Sequence, residues 1–222
     1  MAASAAPSPS PTSEPDHDCP LCPRLAAFRH EWRALEPSWH NAPVPGFGPL
    51  SARLLIVGLA PGLRGANRTG RPFTGDFAGD LLYSTLLAFG FAEGRYGATP
   101  DDGLALKDAR IVNAVRCVPP QNKPTPEEIR TCRPFLGAAI AEMAHLQAIV
   151  TLGKIAHDST VLALGARPAH LKFGHGAEGV AGGRRVIASY HCSRYNTNTG
   201  VLTPAMFHAV FAAARTYLDA AP

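Results

Sequence analysis

Several features are scarce in this sequence of 222 residues, and each scarcity narrows what the protein can be. No stretch approaches 18 consecutive apolar residues, which excludes a transmembrane helix. The five cysteines are odd in number and widely spread, which disfavours the disulfide framework of a secreted protein. Four of the 21 basic residues are lysines, and the net charge of +4 permits an anionic partner without requiring one. We therefore expect a cytoplasmic protein.

The start of the chain differs from the rest in composition. Residues 2–15 are almost entirely Ala, Ser and Pro, and they lack both the basic and the apolar region of a signal peptide. Such a stretch buries too little surface to offset the entropy lost on ordering. We predict that residues 1–18 form a disordered tail and that residues 19–222 form a single domain.

Short apolar runs alternate with helical patterns along the predicted domain. Four runs are typical of buried strands: Arg53–Val57, Ala109–Ala114, Ala148–Leu152 and Arg184–Ser189. Helices are predicted over Ala78–Phe89 and from the capping residues Thr125 and Thr203 onward. Because the strands are continuously apolar, they favour a parallel sheet covered on both faces. The predicted fold class is α/β, a three-layer αβα sandwich with a central four-stranded parallel sheet.

The loops that follow the predicted strands are the place to look for a site. In open α/β sheets, ligands bind beyond the carboxyl ends of the strands. Three of the four loops are long, polar or rich in glycine. Together the loops contain five side chains suited to chemistry: Asp76, Asn113, His191, Arg194 and Asn196. We predict that these side chains converge on one site.

The loop Gly58–Gly79 follows the first predicted strand, and structureless loops of this length are usually functional. Its glycines allow tight turns that bring backbone N–H groups near an anion. It has neither the lysine of a Walker A loop nor the glycine spacing of a dinucleotide fingerprint. Phe73 either plugs the core or provides a stacking platform. Asp76 either caps the next helix or serves chemistry, in which case Asp80 would suit the capping role.

Four of the cysteines form two pairs. Cys19 and Cys22 form a C-x2-C pair, whereas Cys117 and Cys132 are separated by fourteen residues. Four thiolates bind a zinc ion or hold an iron–sulfur cluster, and unrelated buried thiols are the alternative. The wide, unequal spacing of the second pair favours a cluster over a zinc ribbon. Cys192 is most simply a packed free thiol.

The most polar stretch of the chain reads HCSRYNTNTG from His191. It is either a hydrogen-bonded turn or a segment that contacts base edges and a phosphate backbone. Two further motifs accompany it: GLAPGLRGANRTGRPFTGDFAG from Gly58 and VNAVRC from Val112. With four cysteines at this spacing, these motifs resemble the B-type (family 5) uracil-DNA glycosylases, from Cys19 to the last helix.

The resemblance implies a DNA repair enzyme that hydrolyses the N-glycosidic bond of uracil and leaves an abasic site. Such enzymes are expected to accept other deaminated bases, in double- and single-stranded DNA. We expect this protein to act as a monomer. The resemblance also implies a [4Fe–4S] cluster on the two cysteine pairs: Cys19, Cys22, Cys117 and Cys132. In most of the superfamily a polar or acidic residue follows the first glycine of the long motif, but the residues after Gly58 here are apolar. That departure leaves the activation of water to Asp76.

The resemblance further implies a role for each polar loop residue. A base must be flipped out of the stack before it is attacked, and Phe73 would stack on it. Asn113 would bind the uracil edge, and Gly58 is a further candidate for substrate binding. His191 would donate to O2 of the departing base, where negative charge develops. Asn196 would support the water or the base. Three residues would contact DNA: Arg194, Tyr195 and Arg68.

Three alternatives compete with this interpretation. The first is the related family 4 type of glycosylase, with a narrower preference for uracil. The second is a non-catalytic, cluster-bearing DNA-binding or redox-sensing protein, which would bind DNA in a salt-sensitive manner without forming abasic product. The third is an α/β nucleotide-binding enzyme, against which the missing phosphate-binding patterns count.

Overall fold

The computed structural model describes residues 13–220, and residues 1–12 of the predicted tail lie outside the described residues. The strands are β1 Leu54–Gly58, β2 Ala92–Glu93, β3 Ala105–Leu106, β4 Ala109–Asn113, β5 Ala148–Leu152, β6 Glu178–Ala181 and β7 Arg184–Ser189. The α-helices are α1 Pro23–Leu35, α2 Ala66–Thr69, α3 Phe77–Ala88, α4 Pro126–Glu142, α5 Lys154–Ala163, α6 Arg194–Asn198 and α7 Pro204–Ala220, with a 3-10 turn at Pro120–Asn122. No helix within residues 13–220 is long and apolar enough to cross a membrane.

The central sheet has five strands in the order β4-β1-β5-β7-β6. The first four are parallel and correspond to the four predicted strands, so the predicted parallel sheet is confirmed. The fifth strand, β6, is antiparallel to β7 and was not predicted. It gives no apolar run in the sequence because only Ala181 of its four residues is buried, and Val180 is 67% exposed.

Helices cover both faces of the sheet, as the predicted three-layer sandwich requires. Along β1, Leu54 and Ile56 belong to a core cluster that includes side chains of α3 and α7. The alternate residues Leu55 and Val57 belong to a second cluster with side chains of α4 and α5. Burial on both faces explains why all five residues of β1 are buried.

The predicted helix starts are confirmed by their capping bonds. The Thr125 hydroxyl accepts the Glu128 backbone N–H, and the Glu128 carboxylate accepts the Thr125 N–H, which completes a capping box. The hydroxyl of Thr203 accepts the N–H of Met206 at the start of α7. The loop Gly58–Gly79, in contrast, is not structureless, because the short helix α2 interrupts it and α3 begins at Phe77.

Residues 13–18 of the predicted tail lie against the domain, so the prediction of disorder is wrong for this part. Ser13 is buried, and its backbone carbonyl accepts a hydrogen bond from Arg116. The Glu14 carboxylate forms ion pairs with Arg110 and Arg116. These buried guanidinium groups need a charged partner, which the composition of the segment alone does not reveal.

Candidate functional site

A cavity of about 420 Å³ opens at the carboxyl ends of β1, β4 and β7. Five of the predicted site residues line it: Phe73, Asp76, Asn113, His191 and Arg194. They come from three separate loops of the sequence. The sheet brings them together because its four parallel strands all end at the same edge. The predicted convergence on one site therefore holds for four of the five loop residues, because Asn196 does not line the cavity.

Asn113 is the last residue of β4, and its side chain forms part of the cavity wall. The residue is 2% exposed. Its oxygen Oδ1 is buried and has no hydrogen-bond partner within the described residues. A buried carbonyl without a partner costs free energy, so this oxygen is suited to accept an N–H from a bound ligand.

Gly58 lets two site residues approach each other closely. A Cβ atom at this position would lie 2.4 Å from Oδ1 of Asn113 and 2.6 Å from Cζ of Phe73. Glycine is therefore required here by the packing of its neighbours, and Gly58 itself does not line the cavity. The result is an amide and an aromatic ring side by side.

Phe73 is buried at 7% exposure, and its backbone adopts a left-handed conformation with φ of 53°. Its ring stacks near the imidazole of His191, with centroids 6.0 Å apart and planes inclined by 28°. The ring also belongs to the core cluster on the α3 and α7 side. Phe73 therefore packs into the core, as one of the two predicted roles requires, and its ring also lines the cavity.

Asp76 is the N-cap of α3, and its Oδ1 accepts the N–H of Gly79 at 3.2 Å. Asp80 lies in the first helical turn, so it has the position of a helix-dipole partner, whereas the N-cap is Asp76. Asp76 also lines the cavity, and its Oδ2 faces Gly62 and Gly65. Burial raises the pKa of the carboxyl group above its usual value, although the helix N–H groups oppose the shift. One carboxylate thus caps the helix and also faces the cavity.

His191 follows β7 and presents its imidazole to the same cavity. Burial lowers the pKa of His191 to about 4. The ring is therefore neutral near pH 7 and carries one N–H donor. The side chain of Asn196 donates to the backbone carbonyl of His191 at 2.8 Å, which fixes the start of the loop.

Of the remaining predicted residues, Asn196, Tyr195 and Arg68 lie outside the cavity wall. Asn196 does not line the cavity and contacts His191 instead, so the structure gives it a supporting position rather than contact with water or base. Arg194 lies at the wall, with its guanidinium 5.1 Å from the ring centroid of Phe77. Tyr195 is 74% exposed, and Arg68 is exposed near Gly75. Both are accessible to a large partner.

The two cysteine pairs meet at a second, smaller cavity, away from the first. All four predicted ligands line it: Cys19, Cys22, Cys117 and Cys132. Two N–H groups approach their sulfurs, from the Arg29 side chain to Cys117 at 3.5 Å and from the Arg116 backbone to Cys132 at 3.4 Å. Within residues 13–220, no group of three or more His, Cys, Asp or Glu side chains is placed to hold a metal ion.

The fifth cysteine, Cys192, is fully buried, and its thiol lies 3.5 Å from the carbonyl of Ala78. Burial raises the pKa of this thiol strongly, which keeps it protonated. The interpretation as a packed free thiol agrees with this environment.

Comparison with known proteins identifies the family. Residues 45–215 match the model of the uracil DNA glycosylase superfamily. The chain belongs to this superfamily. The match includes both strands that end in Gly58 and Asn113 and the loop that contains His191, so it spans every residue of the larger cavity.

Individual relatives place the chain within the superfamily. It is 46% identical to a type-5 uracil-DNA glycosylase of Thermus thermophilus, over 89% of this chain and 92% of that protein. It is 42% identical to the type-5 enzyme of Pyrobaculum aerophilum, over 84% of this chain and 83% of that protein. A type-4 uracil-DNA glycosylase of Thermotoga maritima is 36% identical over 68% of this chain and 69% of that protein. These values favour the type-5 glycosylases over the type-4 alternative.

Two residues of this glycosylase were missed by the sequence analysis. Asn122 lines the larger cavity from the turn after β4, where both Gln121 and Asn122 have a φ of 56°. Two consecutive non-glycine residues in the left-handed region are rare and mark a constrained turn. Arg29 contacts the cysteine cavity from α1, and nothing in the spacing of the helix distinguishes it from its neighbours.

Proposed function

We propose that this protein excises uracil from DNA by hydrolysis of the N-glycosidic bond. The observation that supports it most is the unpaired Oδ1 of Asn113, buried in the wall of a cavity that also contains Asp76 and His191. Uracil presents N3–H and O4 on one edge. An amide offers an acceptor and a donor to these two groups, so a bound uracil satisfies the buried Asn113 oxygen.

The departing base acquires negative charge as the bond breaks. We infer that the neutral imidazole of His191 donates a hydrogen bond to O2 of the base. Because the pKa of His191 is about 4, the ring is not protonated at pH 7 and cannot act as an imidazolium acid. One such donor contributes about 10²–10³ in rate. The ring of Phe73 stacks on the flipped base, which contributes about 1–3 kcal/mol toward the unstacking cost.

Water must attack the sugar on the side opposite to the base. We assign the orientation of this water to Asp76, the acidic residue of the cavity wall. Its carboxylate also faces the positive charge that develops on the sugar. Positioned general-base assistance contributes about 10²–10⁴ in rate.

The substrate range follows from the cost of flipping. Because a mismatched base is flipped at lower cost, excision from U·G should be faster than from U·A. We propose that other deaminated bases, such as hypoxanthine, are also accepted in double- and single-stranded DNA. Arg194 lies at the cavity wall, and exposed Tyr195 and Arg68 provide further DNA contacts. We also propose that the protein acts as a monomer.

The test uses a labelled duplex with a single U·G pair. Incubation with the protein followed by alkaline cleavage should give one shortened strand at the position of the uracil. Asn113→Ala should abolish most of this product in single-turnover assays while salt-sensitive DNA binding persists. Tight DNA binding by the wild-type protein without cleavable product would favour a non-catalytic DNA-binding protein. A parallel panel with hypoxanthine measures the breadth of specificity that separates type-5 from type-4 enzymes.

We also propose that Cys19, Cys22, Cys117 and Cys132 hold a [4Fe–4S] cluster. The donor set fits, because four cysteines line one cavity and two N–H groups point at their sulfurs. The ligands come from the N-terminal segment, from the loop after β4 and from α4. A bound cluster would cross-link these segments and support the DNA-facing loops, and hydrolysis itself involves no net oxidation or reduction.

Anaerobic purification provides the test of the cluster. A brown protein with about four irons per chain is the expected result. Stoichiometric zinc without iron would overturn the proposal. An excision rate that depends on the oxidation state of the cluster would contradict the purely structural role.

A further inference from the structure

Arg29 is a buried cation that the chemistry of base excision does not use. It lies in α1 with 1% exposure and is among the largest fully buried side chains of the described residues. Its Nη1 lies 3.5 Å from the sulfur of Cys117, and its Nη2 donates to the carbonyl of Cys19 at 3.1 Å. Its Nε has no partner within residues 13–220. Arg29 therefore faces two of the cysteine positions at once.

Two other arginines next to the cysteine positions have carboxylate partners. Arg116, which is equally buried, pairs with Glu14, and Arg24 pairs with Glu128. No carboxylate within the described residues pairs with Arg29. A guanidinium taken out of water is costly without an opposite charge. The sulfur ligands are the groups placed to supply that charge.

We propose that Arg29 is a positioning residue for the cluster, whose positive charge and N–H···S bond offset the negative charge of the four thiolates and the iron–sulfur core. This inference rests on the proposed cluster. Net charge and hydrogen bonds to sulfur are two of the factors that set the reduction potential of such a centre. Arg29 should therefore raise the potential and slow the release of iron.

The contact with the Cys19 carbonyl suggests a simpler role, in which Arg29 only holds the N-terminal segment in place. Arg33 allows the two roles to be separated. It lies one helical turn later in α1, pairs with Asp18 and donates to the carbonyl of Asn41, but it does not line the cysteine cavity. Loss of Arg33 loosens the same segment without removing a charge from the sulfurs.

The experiment compares anaerobically purified Arg29→Met, Arg29→Lys and Arg33→Met with the wild-type protein. Methionine fills a similar volume without a charge, and lysine keeps the charge without the planar fork. Outer-shell partners typically change metal affinity by about 10–100-fold, so Arg29→Met should release iron to a chelator about 10–100 times faster. Protein-film voltammetry should show a lower midpoint potential for Arg29→Met, a smaller decrease for Arg29→Lys and none for Arg33→Met.

The outcomes separate the two proposals. Wild-type protein without iron overturns the cluster and the role of Arg29 together. Wild-type protein with iron, and an Arg29→Met variant with unchanged potential and chelator resistance, overturns the role of Arg29 alone. Equal effects of Arg29→Met and Arg33→Met also overturn it, because they indicate a segment anchor. If Arg29→Met does not fold, Arg29→Gln decides by the same two measurements, since it removes the charge and keeps an N–H donor.

Discussion

The side-chain amide of Asn196 donates to the backbone carbonyl of His191 at 2.8 Å, which links helix α6 to the imidazole of the cavity. Asn196 does not itself line the cavity. Asn196→Ala should therefore lower the single-turnover excision rate about 10–100-fold by misplacing His191, with little change in DNA affinity. Asn198→Ala on the same helix serves as the control. A large loss of DNA affinity in Asn196→Ala would instead indicate direct contact with DNA.

Asp76 combines a helix cap with a carboxylate in the cavity, and one substitution separates these functions. Asp76→Asn keeps a good N-cap residue and removes the buried negative charge. Because burial raises the carboxyl pKa, the ionised group costs stability at neutral pH, so the melting temperature should stay equal or rise. The excision rate should fall about 10²–10⁴-fold.

Asp76→Ala gives the comparison, because it removes both functions. Its excision rate should also fall at least about 10²-fold, and it should be less stable than Asp76→Asn by about 1 kcal/mol. Near-normal single-turnover rates in either variant would remove Asp76 from the mechanism.

Gly58→Ala tests the close approach of Asn113 and Phe73. The new methyl group would lie within 3 Å of both side chains, so at least one of them must move. We expect a loss of excision of at least about 10-fold, from the misplaced uracil-binding amide. Gly137→Ala in α4 is the matched control, because a Cβ atom there meets nothing within 4 Å. Equal activity of the two variants would show that the cavity adapts.

Stability should depend on pH through His191. Its pKa is about 4 in the folded protein and near 6.5 when unfolded, so the unfolded chain binds a proton first as the pH falls. The free energy of unfolding should therefore decrease between about pH 6.5 and pH 4, by at most about 3 kcal/mol. Denaturant titrations of His191→Gln should show a shallower decrease than the wild-type protein. Identical slopes would mean that the ring is solvated in the folded state.

The Glu14 ion pairs should contribute to stability. Arg116 is buried at 1% exposure, so Glu14→Ala leaves its charge without that partner. We expect a loss of about 1–3 kcal/mol in unfolding free energy, less than for a fully buried pair because Glu14 itself is partly exposed. Glu178→Ala is the control. The carboxylate of Glu178 is about as exposed as that of Glu14, but its partner Arg185 is not buried. This substitution should therefore lower the unfolding free energy by at most about 1 kcal/mol.

The sequence predicted the strands and helix starts that depend on a local pattern of residues. Continuous apolar runs located the four parallel strands, and Thr125 with Glu128 located the start of α4. The edge strand β6 was not predicted, because most of its residues contact solvent and the sequence therefore has no apolar run there. The resemblance supplied the residues of the larger cavity, and strand topology explains why they meet.

What the sequence did not predict depends on contacts between distant segments. In the sequence, Glu14 belongs to a low-complexity segment. Only the folded structure brings it next to Arg110 and Arg116. In the sequence, nothing distinguishes Arg29 from other helical arginines. Only the folded structure places it in contact with Cys117 and Cys19. Asn196 was expected at the substrate, but the geometry of α6 directs its amide to the backbone of the preceding loop.

The left-handed backbone of Phe73 carries a cost for the whole domain. An aromatic residue with φ of 53° is strained by about 1–3 kcal/mol, whereas glycine adopts this conformation without strain. Replacement by glycine would relax the chain but remove the ring beside His191. The same replacement would leave a void in the core cluster, and truncation of a buried phenylalanine costs about 3–5 kcal/mol, more than the strain it would relieve. The packing of the ring therefore keeps the residue in a backbone conformation that it would otherwise avoid.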